Sequence, residues 1–196
     1  MDFELLMVLL RLAICFLVGS VPFAVLAMLG SGVDIRKIGS GNPGFNNVLR
    51  VSKWRALLTL LGDVGKGFLP VWLCLRPGDS FVTGWLYGFA AVLGHCYSPF
   101  LKFNGGKGIA TSGGVMLVLY PLWAGFALSV FVIVRVTASL RKWKEAGAIG
   151  SLTAWVVFTL LMFAFVGRQH ATISAVMTLF LAWRHKKNFQ NLLAPA

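Results

Sequence analysis

Lysine, arginine and histidine set among glycines and asparagines are the residues of this chain best equipped for chemistry, and they gather in three short polar stretches. The most pointed covers residues 103–111, F-N-G-G-K-G-I-A-T. Glycines let a ligand come close to backbone N–H groups, and Lys107 adds a positive charge. Thr111 and Ser112 open an apolar run, which sets the turn at a helix N-terminus. Unpaired N–H groups and the helix dipole favour an anion there. The spacing is not that of a Walker P-loop, which needs four residues between its first glycine and Gly-Lys. The stretch reads as a phosphate site without a nucleotide fold; a flexible turn between membrane helices is the plainer alternative.

A second stretch, residues 39–50, reads G-S-G-N-P-G-F-N-N-V-L-R. Ser40, Asn42, Asn46 and Asn47, with Gly41 and Gly44, offer N–H groups and amides to anionic oxygens. Arg50 adds a permanent charge with a fork suited to phosphate. In the third, Arg184-His185-Lys186-Lys187-Asn188, His185 and Asn188 are three apart and would share a helix face. Anchoring at anionic headgroups suffices for Lys186 and Lys187. His95, after Gly94, stands as a base, a phosphate donor or a helix-end histidine satisfied by its surroundings.

Asp34 is the only carboxylate near these stretches in sequence, which disfavours a hydrolase with paired acids. A Ser-His-Asp triad lacks its acid, and no G-x-S-x-G elbow occurs. What remains, positive charge and N–H donors, suits chemistry in which phosphate is a handle or leaving group. No Cys/His grouping has metal-ligand spacing, so neither metal nor cofactor is expected. Cys15, Cys74 and Cys96, odd in number and set in apolar runs, read as buried packing residues.

Membrane helices must hold these stretches in place. Of 196 residues, 58% are hydrophobic and 12% charged, and the mean hydropathy is +0.80. Those values point to one integral membrane domain, residues 1–196. The net charge of +12 could suggest nucleic acid, but the basic residues sit in short loops between apolar runs, the positive-inside pattern. The first apolar run lacks a small-residue cleavage site and reads as a retained span rather than a signal peptide.

Residues 5–29 form the first expected span, with Arg11 inside it and a kink at Pro22. A basic loop follows, and then a span over 56–75. There Asp63 and Lys66 lie on one helix face deep in the bilayer, as a structural ion pair or a direct substrate contact. Arg76-Pro-Gly-Asp79 is assigned to the outer side, and residues 81–96 return inward. Residues 108–134 are long for one span and short for two. Taken as one, they would put Arg135, Arg141, Lys142 and Lys144 outside, so two short helices split at Tyr120-Pro121 are expected, with 135–147 inside. Spans over 150–166 and 171–183, joined by an outer loop at 167–170, complete an all-α polytopic protein. It has seven transmembrane helices, two of them short, with the N-terminus outside and the C-terminus cytoplasmic. The regions around residues 42, 106 and 187 then reach one membrane face and can build one site.

Read together, the stretches resemble the motifs of the bacterial PlsY family, the acyl-phosphate:glycerol-3-phosphate acyltransferases. The family pattern S-G-N-x-G-A-T-N-x-x-R is met by Ser40, Gly41, Asn42, Gly44, Asn47 and Arg50. Its second motif is met by Gly94-His95 and by Gly105 to Thr111, and its third, R-H-x-x-N, by Arg184, His185 and Asn188. Asp63-x-x-Lys66-Gly67 also fits. Phe45 and Asn46 depart from the family's Ala-Thr, and Phe45 is bulky enough to reshape a pocket. The proline after His95 is displaced by one position, and the tail lacks the family's closing glycine and acid. The loop before Gly150 is more basic than the family pattern.

The resemblance implies transfer of a fatty acyl group from acyl phosphate to the 1-hydroxyl of glycerol 3-phosphate, giving lysophosphatidic acid and phosphate. It implies no metal, no CoA and no acyl carrier protein, a bacterial inner-membrane location, and membrane lipid as the surroundings. On it, Ser40, Arg50, Lys107, His185 and Asn188 are expected to hold glycerol 3-phosphate. The backbone amides of Gly105, Gly106, Lys107 and Gly108, with Asn46, Asn47 and Thr111, are expected to hold the donor's phosphoryl group. Gly41, Asn42, Gly44 and His95 are expected to line the substrates. No strong general base is evident, so the donor's own phosphate would take the hydroxyl proton. The competing class is a transporter of a small phosphorylated metabolite, for which alternating access would require an internal repeat; none is visible.

Overall fold

A chain crossing a bilayer must satisfy each backbone N–H and C=O within its own segment, and a helix does so. The computed structural model describes residues 3–193, and no strand occurs among them. The chain divides into two compact units, one ending at Leu119 and the other beginning at Tyr120.

The first unit holds α1 (Phe3–Gly19), α2 (Phe23–Ala27), α3 (Phe45–Val48), α4 (Lys53–Cys74), α5 (Phe81–Cys96) and α6 (Ile109–Leu119). Where sequence suggests a kink at Pro22, the helix stops outright and restarts, because proline has no N–H to continue the ladder. The exposed carbonyls at this break are taken up by other elements. Ser98 Oγ donates to Ser20 O at 2.6 Å, and Lys66 Nζ to Val21 O at 2.8 Å. Arg55 Nη1 closes the far end of α2 by donating to Ala27 O and Leu29 O. Ser52 caps α4 by accepting from Arg55 N–H, and Ser80 caps α5 by accepting from Thr83 N–H.

Small residues let the helices touch backbone to backbone, as membrane helices commonly do. A Cβ on Gly67 would overlap Thr111 O, and one on Gly94 would overlap Phe16 O. These contacts draw α6 onto α4 and α5 onto α1. Arg11 pairs with Asp79 at 3.9 Å. Cys15, Cys74 and Cys96 are buried thiols, as their apolar settings suggest.

The second unit holds α7 (Pro121–Leu140), α8 (Ala146–Leu161), α9 (Arg168–Arg184) and α10 (Lys186–Leu193). The split at Tyr120-Pro121 falls where the sequence places it, with Pro121 at the first helical position, where a missing N–H loses nothing. Two expectations need correction. First, α7 is not short: it runs 20 residues through Arg135 to Leu140, and the polar loop shrinks to 141–145. An arginine near a helix end can carry its charge outward along its apolar stem, so Arg135 need not end the helix. Second, the loop expected at 167–170 is nearly all helix, because α9 begins at Arg168. Only Gly167, at φ 139°, breaks the chain there, after a π-helical turn over Met162–Val166.

Phe3–Ala27, Lys53–Cys74, Pro121–Leu140 and Ala146–Val166 are long and apolar enough to cross a membrane, while Ile109–Leu119 is shorter.

Candidate functional site

The 39–50 loop owes its shape to Asn47, which is 2% exposed. Its Nδ2 donates to Ile35 O at 2.9 Å and Ile38 O at 3.1 Å, and its Oδ1 accepts from Ser40 N–H at 3.2 Å. An amide has two donors, and both are committed. The expectation that Asn47 holds a phosphoryl group is therefore corrected: it shapes the loop. Gly39 (φ 56°) and Gly41 (φ 67°) make the reversals that let the chain wrap this amide. Ser40, Asn46 and Arg50 lie on the exposed side of the loop. Ser40 Oγ accepts from Asn42 N–H at 3.4 Å, and Gly44 sits at the N-cap of α3. The ring of Phe45 packs against the apolar cluster of Ala24, Met28, Ile35, Val48 and Ala56. Its bulk is taken up by the hydrophobic layer beneath the loop.

The loop's leading edge is fixed by charge. Arg36 donates from Nε and Nη2 to the two carboxylate oxygens of Asp34, each at 2.9 Å, and its backbone N–H adds a third bond. The side-chain bonds first, then the backbone bond, hold the Asp34 carboxyl down at about 2. A carboxyl lowered on folding stabilises the fold above its unfolded pKa, and that contribution is lost as pH falls through the folded value. Asp34 should therefore keep its charge at pH 3.5, where a free aspartate is largely protonated. The carboxyl ¹³C shift followed by NMR checks this; a midpoint near 3.8 would contradict it.

The 103–111 turn is held from behind. Gly105 N–H donates to Cys96 O at 3.1 Å and Gly106 N–H to His95 O at 3.2 Å. Two amides expected to cradle the donor phosphate are thus committed to the backbone of α5, which corrects their assignment. The glycines serve close approach instead: a Cβ on Gly106 would overlap the His95 ring at Nε2. Lys107, half-buried, follows this pinned segment, and Gly108 (φ 88°) turns the chain into α6. Ser112 N–H bonds to Gly108 O at 2.8 Å, so the helix does start at the turn.

His95 is the hub beneath this turn. Its Nδ1 lies 3.1 Å from Thr111 Oγ1 and 3.6 Å from Asp63 Oδ1, while Asp63 Oδ1 also pairs with Lys66 Nζ at 2.8 Å. All four side chains are buried. Thr111, fully enclosed and engaged with His95, is corrected from a phosphoryl donor to a support for the histidine. The scarcity of carboxylates near the three stretches is corrected too, because Asp63 reaches His95 across 32 residues of sequence. The Asp63-Lys66 spacing signalled the ion pair, but nothing in the sequence signalled its extension to His95.

In the second unit His185 does not share a helix with Asn188. It sits between α9 and α10, 4% exposed. Its Nδ1 lies 2.8 Å from Leu181 O. A carbonyl can only accept, so Nδ1 carries a proton. Asn188 N–H bonds to His185 O at 2.8 Å. The Asn188 side-chain amide donates to Glu145 Oε2, and Asn191 Nδ2 donates to Glu145 Oε1 at 2.7 Å. Glu145 was missed in the sequence, hidden in a basic loop 43 residues away.

Comparison with known proteins gives this arrangement a context. The family profile described as glycerol-3-phosphate acyltransferase matches residues 9–195. A glycerol-3-phosphate acyltransferase of Laribacter hongkongensis is 43% identical, over 93% of this chain and 91% of its own length. One from Methylobacillus flagellatus is 41% identical, over 91% and 89%. The crystal structure of PlsY (YgiH), an integral membrane glycerol 3-phosphate acyltransferase, in its glycerol 3-phosphate form superposes with a TM-score of 0.83. The identity is 32%, over 95% of this chain and 92% of that one. Its lysophosphatidic acid form gives 0.81. A profile match over residues 9–195 and a fold that superposes over 95% of the chain make this multi-pass membrane protein a member of the glycerol-3-phosphate acyltransferase family.

Proposed function

We propose that this protein transfers a fatty acyl group from acyl phosphate to the 1-hydroxyl of glycerol 3-phosphate, at the cytoplasmic face of a bacterial inner membrane. The reading is carried by one observation: a member of this family bears Ser40 and Arg50, Lys107 on a pinned glycine turn, and His185 with Asn188 in the three polar stretches that resemble the family's motifs. The related crystal structures are described as glycerol 3-phosphate and lysophosphatidic acid forms, substrate and product of such a transfer.

The glycerol hydroxyl oxygen attacks the acyl carbonyl carbon, the bond from that carbon to the phosphate oxygen breaks, and inorganic phosphate leaves with the hydroxyl proton. Acyl phosphate is already activated, so the protein's work is to position and to neutralise charge. Ser40, Arg50, Lys107, His185 and Asn188 are assigned to glycerol 3-phosphate. The Lys107 and Gly108 amides, with Gly41, Asn42, Gly44 and Asn46, are assigned to the donor side. Seven passes, with the N-terminus outside and the C-terminus cytoplasmic, follow from the charge of the loops.

The test is direct. Purified protein in lipid, given acyl phosphate and labelled glycerol 3-phosphate, should release phosphate and move label into the organic phase in equal amounts. Acyl-CoA in place of acyl phosphate should yield nothing. A preparation that binds glycerol 3-phosphate but moves no label into lipid would defeat the proposal.

A further inference from the structure

Glu145 is the only acid in residues 120–196. It sits in the left-handed region (φ 58°, ψ 29°) just before α8, where a residue with a Cβ is held only if its surroundings demand it. From there its carboxylate receives two amides of α10, Asn188 on Oε2 and Asn191 on Oε1. Residues 186–196 contain no acid, so α10 has no carboxylate of its own to do this.

We propose that Glu145 is a positioning residue for the acyl transfer, fixing the Asn188 amide for glycerol 3-phosphate. The physical point is the one-sidedness of a carboxylate. An ionised carboxylate accepts and never donates, whereas an asparagine amide can present either its NH₂ or its oxygen. Facing Glu145, Asn188 must turn its NH₂ inward, and this sets the direction of Oδ1. Without the carboxylate, the amide can reverse by a half-turn about a soft torsion. The Asn191 bond braces Glu145 from its other oxygen, so that two charge-assisted bonds hold one rotamer. The inference rests on the reading that Asn188 contacts glycerol 3-phosphate.

The test is a double-mutant cycle read in steady-state kinetics. Glu145→Ala should lower kcat/KM for glycerol 3-phosphate about tenfold, the scale of one charge-assisted hydrogen bond. It should leave KM for acyl phosphate within about twofold of wild type. In an Asn188→Ala background, Glu145→Ala should cost nothing more, because its effect runs through that amide. Asn191→Ala should lower kcat/KM less than Glu145→Ala does. Glu145→Gln, which keeps the size and one accepting oxygen, supplies a folded variant if the alanine unfolds; it too should lower kcat/KM for glycerol 3-phosphate. Losses that multiply across Glu145→Ala and Asn188→Ala, or a Glu145→Gln protein with wild-type kinetics, overturn the proposal. A wild-type protein that acylates no glycerol 3-phosphate sinks the parent reading instead, and the control reaction in the same plate tells the two failures apart.

Discussion

Alanine at position 107 should silence acyl transfer and leave the protein folded. In the proposed assignment the half-buried Lys107 ammonium faces phosphate, and removing one preorganised charge-stabilising donor lowers turnover by about 10²–10³-fold. The fold should survive because the turn is not built on this side chain. Gly105 and Gly106 are pinned by their own N–H groups to the carbonyls of Cys96 and His95, and Gly108 supplies the backbone reversal into α6. Arginine should rescue in part, since it restores charge with a longer, planar fork; glutamine should not. The measurement is the labelled-product assay beside a thermal unfolding curve. A Lys107→Ala protein with near wild-type turnover would remove Lys107 from the site, and Arg50→Ala tests its partner in the same way.

The sequence and the structure agree where one-dimensional information suffices. Apolar runs interrupted by basic loops specify where helices lie, and Pro121 marks a helix start because its chemistry is local. What stayed hidden is pairing across distance. Asp63 and Lys66 reveal themselves at a spacing of three, but nothing in the chain marks His95 as their neighbour. That contact exists only once α4 and α5 pack together in the fold. Glu145 was masked by its company of Arg141, Lys142 and Lys144, which reads as a solvated basic loop. The 39–50 and 103–111 stretches stand out in the sequence as polar and glycine-rich. Yet composition could not separate donors offered to a ligand from donors consumed by the fold, and Asn47, Gly105 and Gly106 belong to the second kind. The reach of α7 through Arg135 was missed for a related reason: charge counting treats an arginine as a loop residue, while its stem can lie along an apolar helix.

The second large effect concerns the buried pair. Asp63 and Lys66 are 2% and 4% exposed, and their charges meet at 2.8 Å. Replacing Lys66 with methionine leaves a carboxylate buried without its cation, and it also strips Val21 O of its donor at the break between α1 and α2. Asp63→Ala leaves the ammonium in the same position. Breaking a buried pair from one side costs about 3–5 kcal/mol, so either single variant should unfold well below wild type in detergent. Replacing both residues with apolar ones of similar size removes both charges, and stability should return toward wild type. Activity should not return with it. His95 would keep Thr111 but lose the carboxylate 3.6 Å from its Nδ1, and its ring lies directly against Gly106, one residue before Lys107. Stability and turnover should therefore separate in the double variant. A double variant that is as active as it is stable would show that the pair holds helices and nothing more. Single variants as stable as wild type would show that the charges were never mutually dependent.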